Sequence, residues 1–590
     1  MRRFFSWLGS IFMGVINGVA KVVMALILLV VVLVVANLIW GDGLPSNMVL
    51  ALDLRDPIAD SAPNTFFSRK LTVMDVVLGL DAAGRDARVK GVVMKLGTGA
   101  LSSAEGEEIA SAIQRFRATG KFVIAQSSAF FSAGMGDYVA ASAANEIWMQ
   151  PKAPFGVAGA GGGEIFLRGA LEKIQAEPQI AKRADYKSAA DMYMEKGMTA
   201  PDREQLTRLM QSAYDEAVAT MAGNRHITKP EVVSALEASP QFAEDALKAK
   251  LIDKTGYDNE AQAAAEARAG TGAKTTKMTD YVKDVSPRFG QANIAIIEAS
   301  GEIVDGTAKT SLLGGGSGIA SDDLSAAILE ASKDASIKAI VLRVDSPGGS
   351  VTASDQILHA VKTAQKAGKP VVVSMGSVAA SGGYYISLSA DRIIAEPGTI
   401  TGSIGVLTGK VSFNKTANWA GVGVDQVAVG KNTLMDSPLQ PYTDDQWANL
   451  NHQADVIYAD FTQKVAAGRK LPLEQVQNIA KGRVWSGADG RQHGLVDTLG
   501  GFWTAAGEAA SLGHVQPGDM VFRTYPKPRG LFASLERFTG GLDASLSLFG
   551  RVESLMNLPA LQALQQGVSS LPQGGAGSGV RLQSGPLPRP

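Results

Sequence analysis

The sequence predicts a layered α/β protein built from two tandem copies of one domain. Two observations predict it. Short β-branched runs alternate with amphipathic helical stretches, and the alternation occurs twice in register. Val89-Lys-Gly-Val-Val-Met-Lys95 lines up with Ile337-Lys-Ala-Ile-Val-Leu-Arg343, and Gly120-Lys-Phe-Val-Ile-Ala125 with Gly368-Lys-Pro-Val-Val-Val373 at the same spacing. Asn145 to Pro151 then matches Asp391 to Pro397, and Leu251-Ile-Asp253 matches Leu495-Val-Asp497. Four ordered matches at nearly constant spacing mark a duplication, and the period is far too long for a solenoid repeat.

Within the second copy, Ile337 to Val344 and Pro370 to Met375 read as buried parallel strands. Between them, Thr352 to Ala367 has helical spacing, with Ile357, Leu358, Val361 and Ala364 on one face. Repeated βα units imply right-handed crossovers and helices layered on a sheet. The expected domains are 47–269 and 286–525, joined by a linker over 270–285 that contains Gly270-Thr-Gly-Ala-Lys-Thr-Thr-Lys277. A tail, 526–590, follows. Leu542 to Gln566 has amphipathic helical character, and Gly574 to Pro590 is Gly/Pro-rich and expected to be disordered.

A chain of 590 residues that is 46% hydrophobic can bury large cores. Its formal net charge of -1 gives no basic field for nucleic acid. The absence of cysteine excludes thiol catalysis, disulfides and Cys-type zinc sites. Near the start, Arg2, Arg3 and Lys21 precede the uncharged run Val22 to Trp40. At 1.5 Å per residue that run spans about 28 Å, close to the thickness of a bilayer's hydrocarbon core. The positive flank is N-terminal, so 1–21 is expected in the cytoplasm, 22–40 as a membrane anchor, and the rest outside. A cleaved secretory signal is the competing reading, but the run is long for one and Asn37-Leu-Ile-Trp40 is a poor cleavage context.

Three segments carry candidate chemistry. Asp345-Ser-Pro-Gly-Gly-Ser350 follows a strand and precedes a helix, where glycines let backbone N–H groups point into a cavity. An ordinary tight turn is the bland reading. Ser381 lies in the next βα turn, before Gly382-Gly-Tyr-Tyr385, where a serine is most often just a helix N-cap. Consecutive parallel strands present both turns at one sheet edge, so Gly349 and Gly382 can offer N–H groups to one carbonyl oxygen beside the Ser381 hydroxyl. A serine nucleophile needs a base. His226, His359, His452, His493 and His514 belong to no comparable motif, and no metal-ligand spacing such as HExxH occurs. Lysine remains, provided burial lowers its pKa from about 10.4. Lys187, in Ala184-Asp-Tyr-Lys-Ser-Ala189, is one candidate, and its repeat counterpart Lys431, in Val429-Gly-Lys-Asn432, is the rival.

The Asp345–Ser350 run, Ala379-Ala-Ser-Gly-Gly-Tyr-Tyr385 and Tyr186-Lys-Ser-Ala189, with an N-terminal anchor and a tandem domain, resemble the long, duplicated form of the signal peptide peptidase A family. The resemblance covers roughly Val49 to Phe522. It implies two ClpP/crotonase-like domains of repeated ββα units, with Ser381 as nucleophile, Lys187 as general base and no cofactor. Gly349 and Gly382 follow as oxyanion donors by similarity to the wider ClpP-like fold. In the first copy Phe131-Ser-Ala-Gly-Met-Gly-Asp137 lacks the Ser-Gly-Gly pattern, which leaves Ser132 as a nearby alternative. The implied substrates are remnant signal peptides at the inner membrane, cut on the periplasmic side by a ring- or dome-like homo-oligomer, a tetramer being the expectation. Two alternatives stay open: a crotonase-type acyl-CoA enzyme and an inactive membrane scaffold on the same fold.

Overall fold

The structure, a computed structural model, describes residues 43–61, 70–130, 135–284, 292–308, 318–526 and 581–583. The expected anchor 22–40 and Ser132 lie outside the described residues. Among the described residues no helix is long and apolar enough to cross a membrane.

The first half alternates β1 (Met48–Asp53), α1 (Val73–Arg85), β2 (Val89–Lys95), α2 (Ser103–Arg117), β3 (Phe122–Ser127), α3 (Met135–Ser142) and β4 (Glu146–Met149). After these come β5 (Glu177–Arg183), the long helix α4 (Ala200–Arg225), β6 (Lys254–Thr255) and β7 (Lys274–Lys277). Its sheet runs β6-β4-β3-β2-β1-β7, and every pairing is parallel. Local chemistry starts the helices. Thr72 Oγ1 accepts from the Asp75 N–H at 3.0 Å while Asp75 Oδ2 accepts from the Thr72 N–H at 3.2 Å, a reciprocal cap on α1. Ser102 and Glu105 do the same for α2.

The second half repeats the plan with β8 (Ile294–Ser300), β9 (Ile303–Val304), β10 (Ile319–Ala320), α5 (Ser321–Lys333), β11 (Ala339–Ser346), β12 (Gly348–Ser350), α6 (Val351–Lys366), β13 (Val371–Ala380) and α7 (Gly382–Ser387). Then follow β14 (Arg392–Ala395), β15 (Ile400–Gly402), β16 (Val406–Ser412), α8 (Asp444–Arg469), β17 (Val484–Ser486), β18 (Thr498–Leu499), α9 (Phe502–Leu512) and β19 (Phe522–Tyr525). The expected helical face is the one buried: Ile357, Leu358, Val361 and Ala364 on α6 are all inaccessible. The duplication is plainest in α4 and α8. Each has 26 residues, each is capped by a threonine (Thr199, Thr443), and each ends on a left-handed residue (His226, Lys470).

The halves are fused by three kinds of contact. One hydrophobic core is common to both: Ile109, Ile113 and Phe116 of α2 cluster with Ile296, Val341, Val372 and Phe502 of the second half. A sheet crosses the seam, because β5 pairs antiparallel with β16 from Glu177↔Ser412 to Arg183↔Val406. A buried charge network pins the same seam. Arg343, 2% exposed, donates to Asp60 Oδ1 at 2.6 Å, to Glu108 Oε2 at 2.8 Å and to Ser374 Oγ at 2.9 Å. Glu108 also accepts the Phe502 N–H at 2.9 Å, and Glu107 accepts the Gly398 N–H at 2.8 Å. Burial pushes the Glu107 carboxyl up to about 8, so it enters the seam protonated at neutral pH.

Removing one partner from such a network leaves uncompensated charge in a dry place. Arg343→Met is expected to lose about 3–5 kcal/mol, read as a lower urea midpoint. Arg392→Met breaks an exposed pair to Glu508 and is expected to change the midpoint by less than about 1 kcal/mol. Equal midpoints for the two variants would contradict the assigned role of the network.

Candidate active site

Ser381 occupies the junction between β13 and α7. It takes φ 56° and ψ −113°, a conformation that L side chains rarely adopt and one suited to a sharp strand-to-helix turn. Two hydrogen bonds hold that turn: its N–H donates to Gly402 O at 2.8 Å, and its carbonyl accepts from the Tyr385 N–H at 2.8 Å. The N-cap alternative does not describe it. No cap hydrogen bond is made by the side chain. The hydroxyl instead lies 2.9 Å from Lys187 Nζ.

Lys187 comes from the first half, on the turn after β5, and is 1% exposed. Its amino end meets three oxygens: Ser381 Oγ at 2.9 Å, Ser403 Oγ at 2.9 Å and Ser403 O at 3.1 Å. Among the described residues no carboxylate is hydrogen-bonded to it. Burial without a counter-ion lowers its pKa from 10.5 to about 7. In the neutral form that burial favours, the amine has two N–H donors and one lone pair to distribute among these three oxygens.

The turn carrying Lys187 is clamped from both halves. Tyr186 N–H donates to Lys481 O at 3.1 Å. Gly482 packs so closely that a Cβ there would sit 2.6 Å from Lys187 Cβ, at a φ of +78°. Gln205, on α4 and 2% exposed, grips the turn on either side of the lysine. Its Nε2 donates to Tyr186 O at 3.1 Å and Ser188 Oγ at 3.0 Å, while its Oε1 accepts the Val484 N–H of β17 at 3.2 Å.

The two glycine turns meet as expected. A Cβ on Gly382 would lie 3.1 Å from Gly349 N and 2.8 Å from Ser354 Oγ, so only glycine permits this approach. Lys431 is elsewhere. Its Nζ pairs with Asp445 at 2.6 Å, and both side chains are 72% exposed. No histidine among the described residues hydrogen-bonds to Ser381 or Lys187; His359 is exposed on α6, and His493 packs at a tilt against Trp485. No cluster of metal-ligating side chains occurs among the described residues either.

In the first half the turn equivalent to Asp345–Gly349 is already filled. Asp137 of α3 accepts the N–H groups of Gly97 at 2.8 Å, Gly99 at 2.9 Å and Leu101 at 3.0 Å. Those donors are spent on an internal carboxylate. Ser403, Gln205 and this use of Asp137 were not marked as site features by the sequence. For Ser403 the only available signal is a serine flanked by glycines in Gly402-Ser-Ile-Gly405.

The peptidase family S49 model matches residues 115–272 and again 363–516, and a Clp protease model matches 317–397. Protease 4 of Haemophilus influenzae is 32% identical over 82% of this chain and 83% of its own length. Protease 4 of Salmonella typhi is 30% identical over 95% of this chain and 93% of its own. The chloroplastic serine protease SPPA of Arabidopsis thaliana is 29% identical over 88% and 78%. With the family model matched twice and similarity running through most of the sequence, the chain belongs to peptidase family S49, as a serine protease of the tandem, ClpP-like kind.

Proposed function

We propose that the chain is a Ser/Lys peptidase in which Ser381 is the nucleophile and Lys187 the general base. The reading is carried by one observation: a fully buried amine lacking a carboxylate partner lies 2.9 Å from the hydroxyl of a serine held at a strained turn. Ser381 Oγ attacks the scissile carbonyl as its proton passes to Lys187 Nζ, which then protonates the departing amine. Water hydrolyses the resulting ester by the same route in reverse. The N–H groups of Gly349 and Gly382 stabilise the oxyanion, an effect of about 3–4 kcal/mol per donor in comparable hydrolases. Ser403 orients the amine by accepting both of its N–H bonds.

The substrates we propose are apolar peptides, above all remnant signal peptides left at the inner membrane. The uncharged run 22–40 supports a single-pass anchor with the catalytic halves on the periplasmic side. Assembly into a homo-oligomer is part of the proposal, a tetramer being the expected number. It is supported by exposed apolar side chains on the 413–439 segment, among them Trp419, Val422, Val427 and Val429.

Ser381→Ala is expected to abolish hydrolysis of an apolar peptide while leaving the fold intact by circular dichroism; retained turnover would remove Ser381 from the mechanism. Lys187→Ala is expected to lower kcat by about 10²–10⁴-fold, and Lys431→Ala by less than about twofold. Because the base acts when neutral, kcat/KM should rise with pH through about 7 and then level. A flat profile from pH 5 to 9 would exclude Lys187 as the titrating base.

Gln205 acts through the lysine turn as a positioning residue. Gln205→Ala should lower kcat about tenfold with little change in KM, and move the rising limb to higher pH as water reaches Nζ. A purely structural role would lower the amount of folded enzyme and leave the limb where it is.

A further inference from the structure

Away from the catalytic seam, an open cleft of about 480 Å³ lies at the edge of the first-half sheet where its strands begin. Its size is ordinary for a small-ligand site, about 300–1,000 Å³. Met48 of β1 pairs with Val89 of β2, Gly91 with Phe122 of β3, and Ile124 with Glu146 of β4, so the strand starts share one edge. The turn filled by Asp137 lies at the other end of β2, so the cleft and the glycine turns occupy opposite edges of the sheet. The lining is cationic. Lys90 of β2, Arg117 at the end of α2, Lys121, and Arg268 near the end of the helix Asp258–Ala269 face it, with Phe122 and Asn145 among them.

The duplication supplies an internal reference. Two lysines are kept: Lys90 and Lys121 correspond to Lys338 and Lys369. Lys121 and Lys369 even donate to the carbonyls of equivalent aspartates, Asp86 at 2.7 Å and Asp334 at 3.2 Å. Three other positions have diverged. Arg117 stands where the second half has Gln365, Asn145 where it has Asp391, and Arg268 where it has Leu512. Each exchange makes the first-half cleft one charge more positive. The second half closes its version internally, because Gln365 Nε2 donates to Ser389 O at 2.8 Å and to Asp391 Oδ2 at 3.0 Å. Arg117 keeps the first of these bonds, to Ala143 O. Among the described residues it pairs with no carboxylate, and its buried Nε has no hydrogen-bond partner. Burial holds Arg117 and Lys121 below their ordinary pKa values, with Lys90 adding to the effect on Lys121 and Asp86 opposing it. At the rim, Glu146 is shared by Arg268 and Lys254 at 3.2 Å each. Positive charge is thus held in the cleft at a desolvation cost that the protein's own carboxylates leave largely uncompensated.

We infer that this cleft binds a phosphate-bearing anion, with Arg117 and Arg268 as its guanidinium ligands and Lys90 and Lys121 completing the positive field. A guanidinium presents paired N–H groups that match phosphate oxygens. A multiply charged anion offsets several cations at once, as a single carboxylate cannot. Asn145 Oδ1 accepts the Val123 N–H at 2.8 Å, which leaves its amide N–H groups as further donors. An aspartate there, as in the second half, would repel the ligand. The chain's own course indicates a source. Seven residues separate Trp40, the last of the uncharged run, from Met48 at the strand-start edge, a reach of at most about 30 Å. With the anchor proposed above, the headgroup phosphates of the bilayer lie within that reach. The site itself rests on neither the anchor nor the peptidase reading; only the choice between lipid phosphate and free phosphate uses the anchor.

The test uses the full chain in an uncharged detergent at fixed ionic strength. It is titrated calorimetrically with inorganic phosphate and with dihexanoylphosphatidylglycerol, against sodium chloride and dihexanoylphosphatidylcholine as controls. One site per chain is expected for a phosphate probe and none for the controls. Arg117→Gln combined with Asn145→Asp installs the pair that the second half already carries in the same frame, and should weaken binding about tenfold or more. Arg268→Leu, at an exposed position whose counterpart is Leu512, should weaken it about threefold and keeps the test decisive if the double variant fails to fold. Binding of the phosphatidylglycerol alone supports the inference with a lipid headgroup as ligand. Equal binding of inorganic phosphate supports it with the free ion. A wild type that takes up neither probe overturns the inference. So does binding that Arg268→Leu and the folded double variant both retain in full.

Discussion

The site depends on the dryness around one amine. Lys187 is surrounded by serine hydroxyls and a carbonyl rather than by a carboxylate, so nothing repays the cost of charging it, and its pKa falls to about 7. A single ion-paired acid beside Nζ would restore the charge and remove the lone pair. The surrounding structure is arranged to prevent that. Gly482 closes over the lysine backbone, Gln205 fixes the turn, and the β5–β16 ladder brings a first-half residue beside a second-half serine.

Duplication made this possible by letting the halves diverge. In the second half the glycine turns lie beside Ser381, while in the first half Asp137 saturates the equivalent turn with three hydrogen bonds. An internal carboxylate there stabilises the first half and excludes a developing oxyanion by like charge. The lysines diverged in the reverse sense. Lys187 is buried, and Lys431 is a solvated partner of Asp445. The shared core and the Arg343 network then act as the scaffold that holds the two specialised halves in register.

The elements were legible wherever local pattern decides structure. The helix expected over Thr352 to Ala367 is Val351–Lys366, and its buried face is the predicted one. The strand expected to end at Met375 continues to Ala380 because, after an irregularity near Val344, its far end pairs with β15. Gly376 and Ser377 carry no β signal of their own, so that extension is tertiary. Ser381 stood out because its turn is spelled by consecutive small residues. Only the family resemblance favoured Lys187 over Lys431, because the burial that distinguishes them is created by folding. Ser403 meets Lys187 across the seam, and Gln205 joins the lysine turn to Val484 of the other half; no spacing along the chain encodes those bonds.

Desolvation also governs Glu107 in the seam, with the opposite consequence for pH. Glu107 binds its proton up to about pH 8 when folded and only to about 4.3 when unfolded. Its contribution to stability is therefore complete below the unfolded value and is lost as pH rises through about 8. For Lys187 the order is reversed. The unfolded chain holds the extra proton between about 7 and 10.4, so this term gains with pH across that interval. The neutral amine and the neutral Glu107 carboxyl thus share one cause, the exclusion of water from between the halves, while the Arg343 network beside them stays ion-paired.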